Sequence, residues 1–122
     1  MNNIYVTYWT MKYGIKIYLH KNGTEPFTEW IEDLDGAIQA RISARIARFE
    51  DGHFGDHKSV GDGIIEARLF FGPGYRVYFS VQGNQIILLL TGGDKSTQGK
   101  DIEQAKQFLK LYLEVSNANK KQ

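Results

Sequence analysis

Apolar and polar positions alternate strictly from Ile65 to Leu69 and again from Tyr75 to Val81, with Gly72-Pro73-Gly74 between the two runs. Period-2 alternation flanking a glycine–proline turn predicts an antiparallel hairpin. With Gly72, Pro73 and Gly74 as the loop, Phe71 pairs with Tyr75, Phe70 with Arg76, Arg68 with Tyr78 and Glu66 with Ser80. Side chains alternate along a strand, so Ile65, Ala67, Leu69, Phe71, Tyr75, Val77, Phe79 and Val81 make a core face. Glu66, Arg68, Arg76, Tyr78 and Ser80 project from the other face. One face builds the fold and the other displays chemical groups. Next comes an apolar strand, Gln85–Thr91, that runs into a polar corner, Gly92-Gly93-Asp94-Lys95-Ser96.

The remaining pattern predicts a strand over Tyr13–His20, where Tyr13, Ile15, Ile17 and Leu19 alternate with polar or small neighbours. Lys21-Asn22-Gly23-Thr24 reads as a turn, followed by a helix with Pro26 in its first turn and Phe27, Trp30, Ile31 and Leu34 on one face. Asp35-Gly36 breaks this helix, and Asp35 is placed to cap the next one. The second helix carries Ile38, Ile42, Ile46 and Phe49 inward and ends near Gly52. A loop over His53–Gly63 leads to the hairpin. A last helix from about Gly99 to Glu114 presents Ile102, Ala105, Phe108, Leu109 and Tyr112 as its apolar stripe. The pattern predicts a single α+β domain over residues 13–115, with a polar frayed tail at 116–122. Residues 1–12 form an extension whose Ile4, Tyr5, Val6, Tyr8 and Trp9 suit an extended arm or an added strand.

With 122 residues, 42% of them hydrophobic, the chain suits one ordinary domain and is short for two. It has no cysteine, which removes disulfides and thiolate chemistry and fits a reducing cytoplasm. The N-terminus lacks a basic start with a long apolar run, and no stretch reaches the roughly 18 apolar residues of a membrane helix, so a soluble protein is expected. Three scattered histidines without cysteine make no zinc ligand set, and no cofactor motif stands out. Gly92-Gly93 lacks the spacing of a phosphate loop and is expected to permit a tight turn. The formal net charge of +1 hides an asymmetry: Glu25, Glu29, Glu32, Asp33 and Asp35 cluster early, whereas the arginines fall in the middle of the chain. A surface polarised in this way can hold a polyanion.

The polar face of the hairpin suits a phosphodiester. Cleaving RNA through its own 2′-hydroxyl needs in-line geometry, proton transfer, and cations where charge builds on the phosphoryl oxygens. Arg76 is the first candidate, since its planar fork can grip two oxygens. Arg68 can hold the same or an adjacent phosphate, and Lys95 can close the site from the corner. Glu66 or Asp94 can serve as base, and Tyr78 can stack on a nucleobase or donate to phosphate. From their loop, His53 and His57 can swing over the hairpin as acid or base, a role that suits imidazole. Lys58 and Lys100 extend the basic surface, as do Arg41, Arg45 and Arg48, which lie on one side of the second helix opposite its isoleucines.

The strings Arg68-Leu69-Phe70-Phe71-Gly72-Pro73-Gly74-Tyr75-Arg76-Val77-Tyr78-Phe79 and Leu88-Leu89-Leu90-Thr91-Gly92-Gly93-Asp94-Lys95-Ser96, in this order, resemble the RelE/ParE toxin superfamily and its HigB-like branch of addiction-module killer proteins. Gly55–Gly63 and Asp101–Ala105 are also similar to that branch, and the resemblance spans about Ile15 to Leu111. It implies a RelE-like fold: two N-terminal helices and a C-terminal helix on a twisted, mainly antiparallel four-stranded sheet, in the order β-α-α-β-β-β-α. It further implies a cytoplasmic toxin of a type II toxin–antitoxin system, a ribosome-dependent mRNA endonuclease without cofactor. Its partners would be the ribosome, mRNA and a helix-turn-helix antitoxin, through which alone it would meet operator DNA. Arg76 falls on the strand arginine that these toxins use catalytically, and Arg68 near another of their basic positions. Many relatives carry a histidine or an Arg–Tyr pair after the final strand; this chain offers Asp94, Lys95, Ser96 and Gln98 there, with Tyr112 inside a helix. Two alternatives share the resemblance: a ParE-like poison of DNA gyrase that acts by binding, and a non-toxic relative that only binds an antitoxin.

Overall fold

The structure, a computed structural model, describes residues 13–120. Its strands are β1 (Gly14–Ile17), β2 (His57–Gly61), β3 (Ile64–Arg68), β4 (Arg76–Gln82) and β5 (Ile86–Gly93). Its helices are α1 (Pro26–Glu32), α2 (Gly36–Ala47) and α3 (Gln98–Lys120), with short 3₁₀ turns at Arg48–Asp51 and Lys95–Thr97. The strands form one sheet in the order β1-β5-β4-β3-β2, with β1 parallel to β5 and every other pair antiparallel. This is an α+β domain with a five-stranded mixed sheet. Residues 1–12, expected to be an arm or an added strand, lie outside the described residues.

Helices cover both faces of the sheet. On one side Phe27 of α1 and Ile42 and Ile46 of α2 pack on Ala67, Val77, Phe79, Ile87 and Leu89. On the other, Ala105 and Leu109 of α3 pack on Ile64, Tyr78, Leu88 and Leu90. Proline starts α1 at a position whose N–H would have no helical partner. Asp35 occupies the N-cap of α2, but its carboxylate makes no capping hydrogen bond. Instead Gln39 donates through Nε2 to the Leu34 carbonyl at 2.7 Å and braces the connection.

Four expectations change. The sheet has five strands rather than four, because β2 occupies the segment read as a loop. It lies at the sheet edge and is mostly exposed, so it shows no apolar alternation. Asp62 and Gly63, both at positive φ (53° and 81°), close it onto β3 as a two-residue hairpin turn. Second, the β3–β4 register slips by two: Arg68 lies opposite Arg76 and Glu66 opposite Tyr78. The Leu69 N–H donates to the Tyr75 carbonyl at 2.9 Å, which leaves Phe70–Gly74 as a five-residue loop. An even slip keeps every side chain on its expected face. Third, that second face is not open: α3 lies over it and buries Glu66, Tyr78 and Ser80. Fourth, α3 continues through the expected polar tail to Lys120, since no glycine or proline interrupts it.

Candidate functional site

Beneath the N-terminal turn of α3, the register aligns two rows of side chains across the sheet. One row is Lys58–Glu66–Tyr78–Thr91 and the other is Arg68–Arg76–Gly93. Residues paired across strands share a face, so both rows look toward α3. Glu66 is the hub. Its side chain is fully buried, and Oε2 accepts from Tyr78 Oη and Gln98 Nε2, each at 2.9 Å. The same oxygen lies 3.5 Å from Arg76 Nε, while Oε1 has no hydrogen-bond partner among the described residues. Arg76 also donates through Nη1 to the Gly74 carbonyl at 2.7 Å. Its guanidinium is thus held from two directions with its side chain 11% exposed. The hydrogen bond at Nη1, with the charge contact at Nε, which has no hydrogen-bond partner among the described residues, narrows the orientations in which this planar group can meet a ligand.

This geometry revises two roles. Glu66 has no route to a substrate proton, so it orients Arg76 rather than acting as a base. Tyr78, also fully buried, cannot stack on a nucleobase. Burial, reinforced by its hydrogen bond to Glu66, pushes the Tyr78 hydroxyl far above the usual tyrosine range and keeps it a neutral donor.

The glycine corner also differs from expectation. Gly92 and Gly93 are the last residues of β5, neither with positive φ, so they do not make a turn. They are required for space. A Cβ on Gly92 would run into the Trp30 ring of α1, and one on Gly93 into the Asp101 carboxylate of α3. Asp101, 7% exposed, therefore sits over the Arg76 row where a side chain at 93 would be. Burial raises its carboxyl above the ordinary value, partly offset by a hydrogen bond from Thr97. Asp94 caps the following turn, accepting from the Ser96 N–H at 2.8 Å. The hydrogen bonds from the Ser96 side chain and backbone hold the Asp94 carboxyl below its usual range, which makes it a weak base. The exposed Lys95 donates its N–H to the Pro73 carbonyl at 3.4 Å, and so sits beside the loop that holds Arg76. The sequence places Gln98 after the final strand, but neither its bond to Glu66 nor the position of Asp101 over the Arg76 row was anticipated. The Asp94-x-x-Thr97 spacing signals the capping box, but the bond from Gln98 to Glu66 joins residues far apart in sequence.

The other candidates are distributed around this centre. Arg68, opposite Arg76, pairs with Asp56 (Nε–Oδ2 3.0 Å) and keeps 31% of its side chain exposed. Lys58 and Lys100 are exposed. The histidines do not join the site. His57 pairs with Ala67, which directs it to the opposite face of the sheet, where its ring sits edge-on to Phe54. His53 lines a shallow groove with Arg45 and Arg48 on the α2 side. Arg41 stacks 3.7 Å over the Phe71 ring, and Arg48 is exposed. Among the described residues no three histidine or carboxylate side chains gather to hold a metal ion.

Arg45 proves structural rather than solvated. It donates to the carbonyls of Phe54 (2.9 Å), Asp56 (2.9 Å) and Arg68 (2.8 Å), tying α2 to the segment before β2 and to the end of β3. Burial lowers its pKa, with the Asp56 charge acting against that shift. Arg45→Ala should cost about 2–3 kcal/mol, as the loss of charge-assisted bonds to backbone carbonyls does. Chemical denaturation measures it, and a loss no larger than that of Arg48→Ala would contradict the assignment.

No family model matches this chain. It is 52% identical over 84 residues to an uncharacterized protein of Haemophilus influenzae, an alignment that covers 68% of this chain and 85% of that protein. The chain belongs to that protein's family. Kinship at this level speaks for a shared fold, while the relative's name carries no activity, so function rests on the site. What the site offers is three cations, Arg68, Arg76 and Lys95, at one end of the sheet, with Arg76 held by the Gly74 carbonyl and the Glu66 charge. Such a set suits a phosphate better than any neutral ligand. Among the described residues no helix is long and apolar enough to cross a membrane.

Proposed function

We propose that the chain is the toxin of a type II toxin–antitoxin pair, a cytoplasmic, ribosome-dependent endonuclease that cuts mRNA through the substrate's own 2′-hydroxyl. The observation that carries this reading is the Arg76 guanidinium, pinned between buried Glu66 and the Gly74 carbonyl, opposite Arg68 and beside Lys95. In this reading Arg76 meets the scissile phosphate, Arg68 an adjacent one, and Lys95 closes the open side. Glu66, Tyr78 and Gln98 position Arg76. The chain's main contribution is a preorganised positive field at the oxygens where charge develops, and this step draws on no metal or cofactor. The resemblance of the hairpin and corner strings to the HigB-like branch supports the same reading. It suggests a RelE-like arrangement to which β2 adds an edge strand. A helix-turn-helix antitoxin would neutralise the toxin by covering the Arg68/Arg76 end or by drawing α3 away.

Inducing the chain without a partner should stop bacterial growth, and sequencing of mRNA ends should show new cuts within coding regions. Intact mRNA with broken DNA and blocked gyrase would instead establish the ParE-like reading. Unaffected growth would mark a non-toxic relative.

A further inference from the structure

A second feature lies around the tip of the hairpin from Arg76. Phe70, at the start of the β3–β4 loop, is 81% exposed, an unusual position for a phenylalanine. It lines an open groove of about 400 Å³ between α2 and the end of β3, together with Arg41, Arg48 and Phe71. No acidic residue lines this groove among the described residues. The Arg41 guanidinium lies 3.7 Å over the Phe71 ring, and that of Arg68 is 5.9 Å from the Phe70 ring. An exposed aromatic face bordered by arginines, of which Arg68 alone is paired with a carboxylate (Asp56), is an arrangement that suits single-stranded nucleic acid. Bases stack on the ring, and the backbone phosphates meet the cations.

We infer that this groove binds unpaired RNA, with one base stacked on Phe70 and the flanking phosphates on Arg41 and Arg48. The choice of RNA rests on the endonuclease reading. Arg68 borders both places, so a strand seated here continues toward Arg76. The groove would therefore set which nucleotides flank the cut, a role separate from cutting itself. Phe70 packs little against the fold, so its removal leaves the core untouched.

The test is fluorescence anisotropy with the purified chain and a short, labelled, unstructured RNA at low salt, alongside mRNA cleavage on ribosomes. Phe70→Ala should weaken binding about tenfold, in the range found for losing one base–aromatic stack. Arg48→Ala should weaken it as well and flatten its salt dependence. Lys106→Ala, on α3 across the sheet from this groove and paired with Asp62, should bind like the wild type. The same sequence as a duplex, its bases unavailable for stacking, should bind less well. Binding indifferent to Phe70 and Arg48, or an absence of binding by the wild type, overturns the inference even if mRNA is cut. Phe70-dependent binding by a wild-type chain that leaves mRNA whole upholds the groove and removes the endonuclease reading. A Phe70→Ala chain that binds RNA normally yet loses a protein partner assigns the patch to that protein and overturns the RNA inference.

Discussion

Removing the Arg76 guanidinium should lower mRNA cleavage on purified ribosomes by about 10²–10³-fold, the usual cost of losing one preorganised donor at a developing oxyanion. The effect is large because the group is already oriented before substrate arrives. The Gly74 carbonyl accepts from Nη1 at 2.7 Å, and the Glu66 carboxylate attracts Nε from 3.5 Å. Little reorganisation is left to oppose its action in the transition state. Arg76→Lys should recover only part of the activity, since an ammonium keeps the charge and loses the two-pronged grip. Full activity of Arg76→Lys would show that charge alone suffices, and cleavage at the wild-type rate by a folded chain carrying Arg76→Ala with Glu66→Gln would remove Arg76 from the chemistry.

The second large effect concerns stability and arises from the same contact. Arg76→Ala leaves the fully buried Glu66 carboxylate without its cation. Breaking a buried pair by deleting one partner costs about 3–5 kcal/mol, because the remaining charge is stranded. Glu66→Gln in the same chain should restore most of that loss: the neutral amide can still accept from Tyr78 and Gln98. Denaturant unfolding of the single and double variants measures the coupling. The double variant should be folded and inactive, which separates the stabilising role of Arg76 from its catalytic one. If Arg76→Ala alone unfolds at the wild-type midpoint, the Glu66–Arg76 pair is not the constraint described here.

Much of the fold is legible because periodicity reports burial. The stripes Ile38–Ile42–Ile46 and Ala105–Leu109 face the sheet as their spacing requires, and Val77 and Phe79 fill the core beneath α2. Edge strand β2 escapes this logic because its side chains are largely exposed, although Asp62-Gly63 marks its turn. The hairpin register escapes it because Gly-Pro-Gly suggests a three-residue loop, while the chain leaves the ladder earlier, at Phe70. Period-2 alternation also cannot say whether a polar face meets water or a helix. Glu66, Arg76 and Tyr78 share the face expected of them, but the stripe on α3 needs an apolar partner, and Tyr78, Leu88 and Leu90 supply it. That helix turns a displayed set of groups into a buried hydrogen-bonded centre. Arg68, Arg76 and Lys95 could be found in the sequence because their charge is local information. The contacts of Gln98 and Asp101 could not, since their place over the sheet exists only once the glycine corner has brought α3 against β5.

The central claim is that this chain cuts RNA by promoting attack of the substrate's own 2′-hydroxyl. Analysis of the new ends made by the wild-type chain on ribosomes carrying a defined mRNA tests it most directly. That chemistry predicts fragments ending in a 2′,3′-cyclic phosphate, or its hydrolysis product, paired with fragments that begin in a 5′-hydroxyl. Uncut mRNA, or cuts that leave a 5′-phosphate, would contradict it.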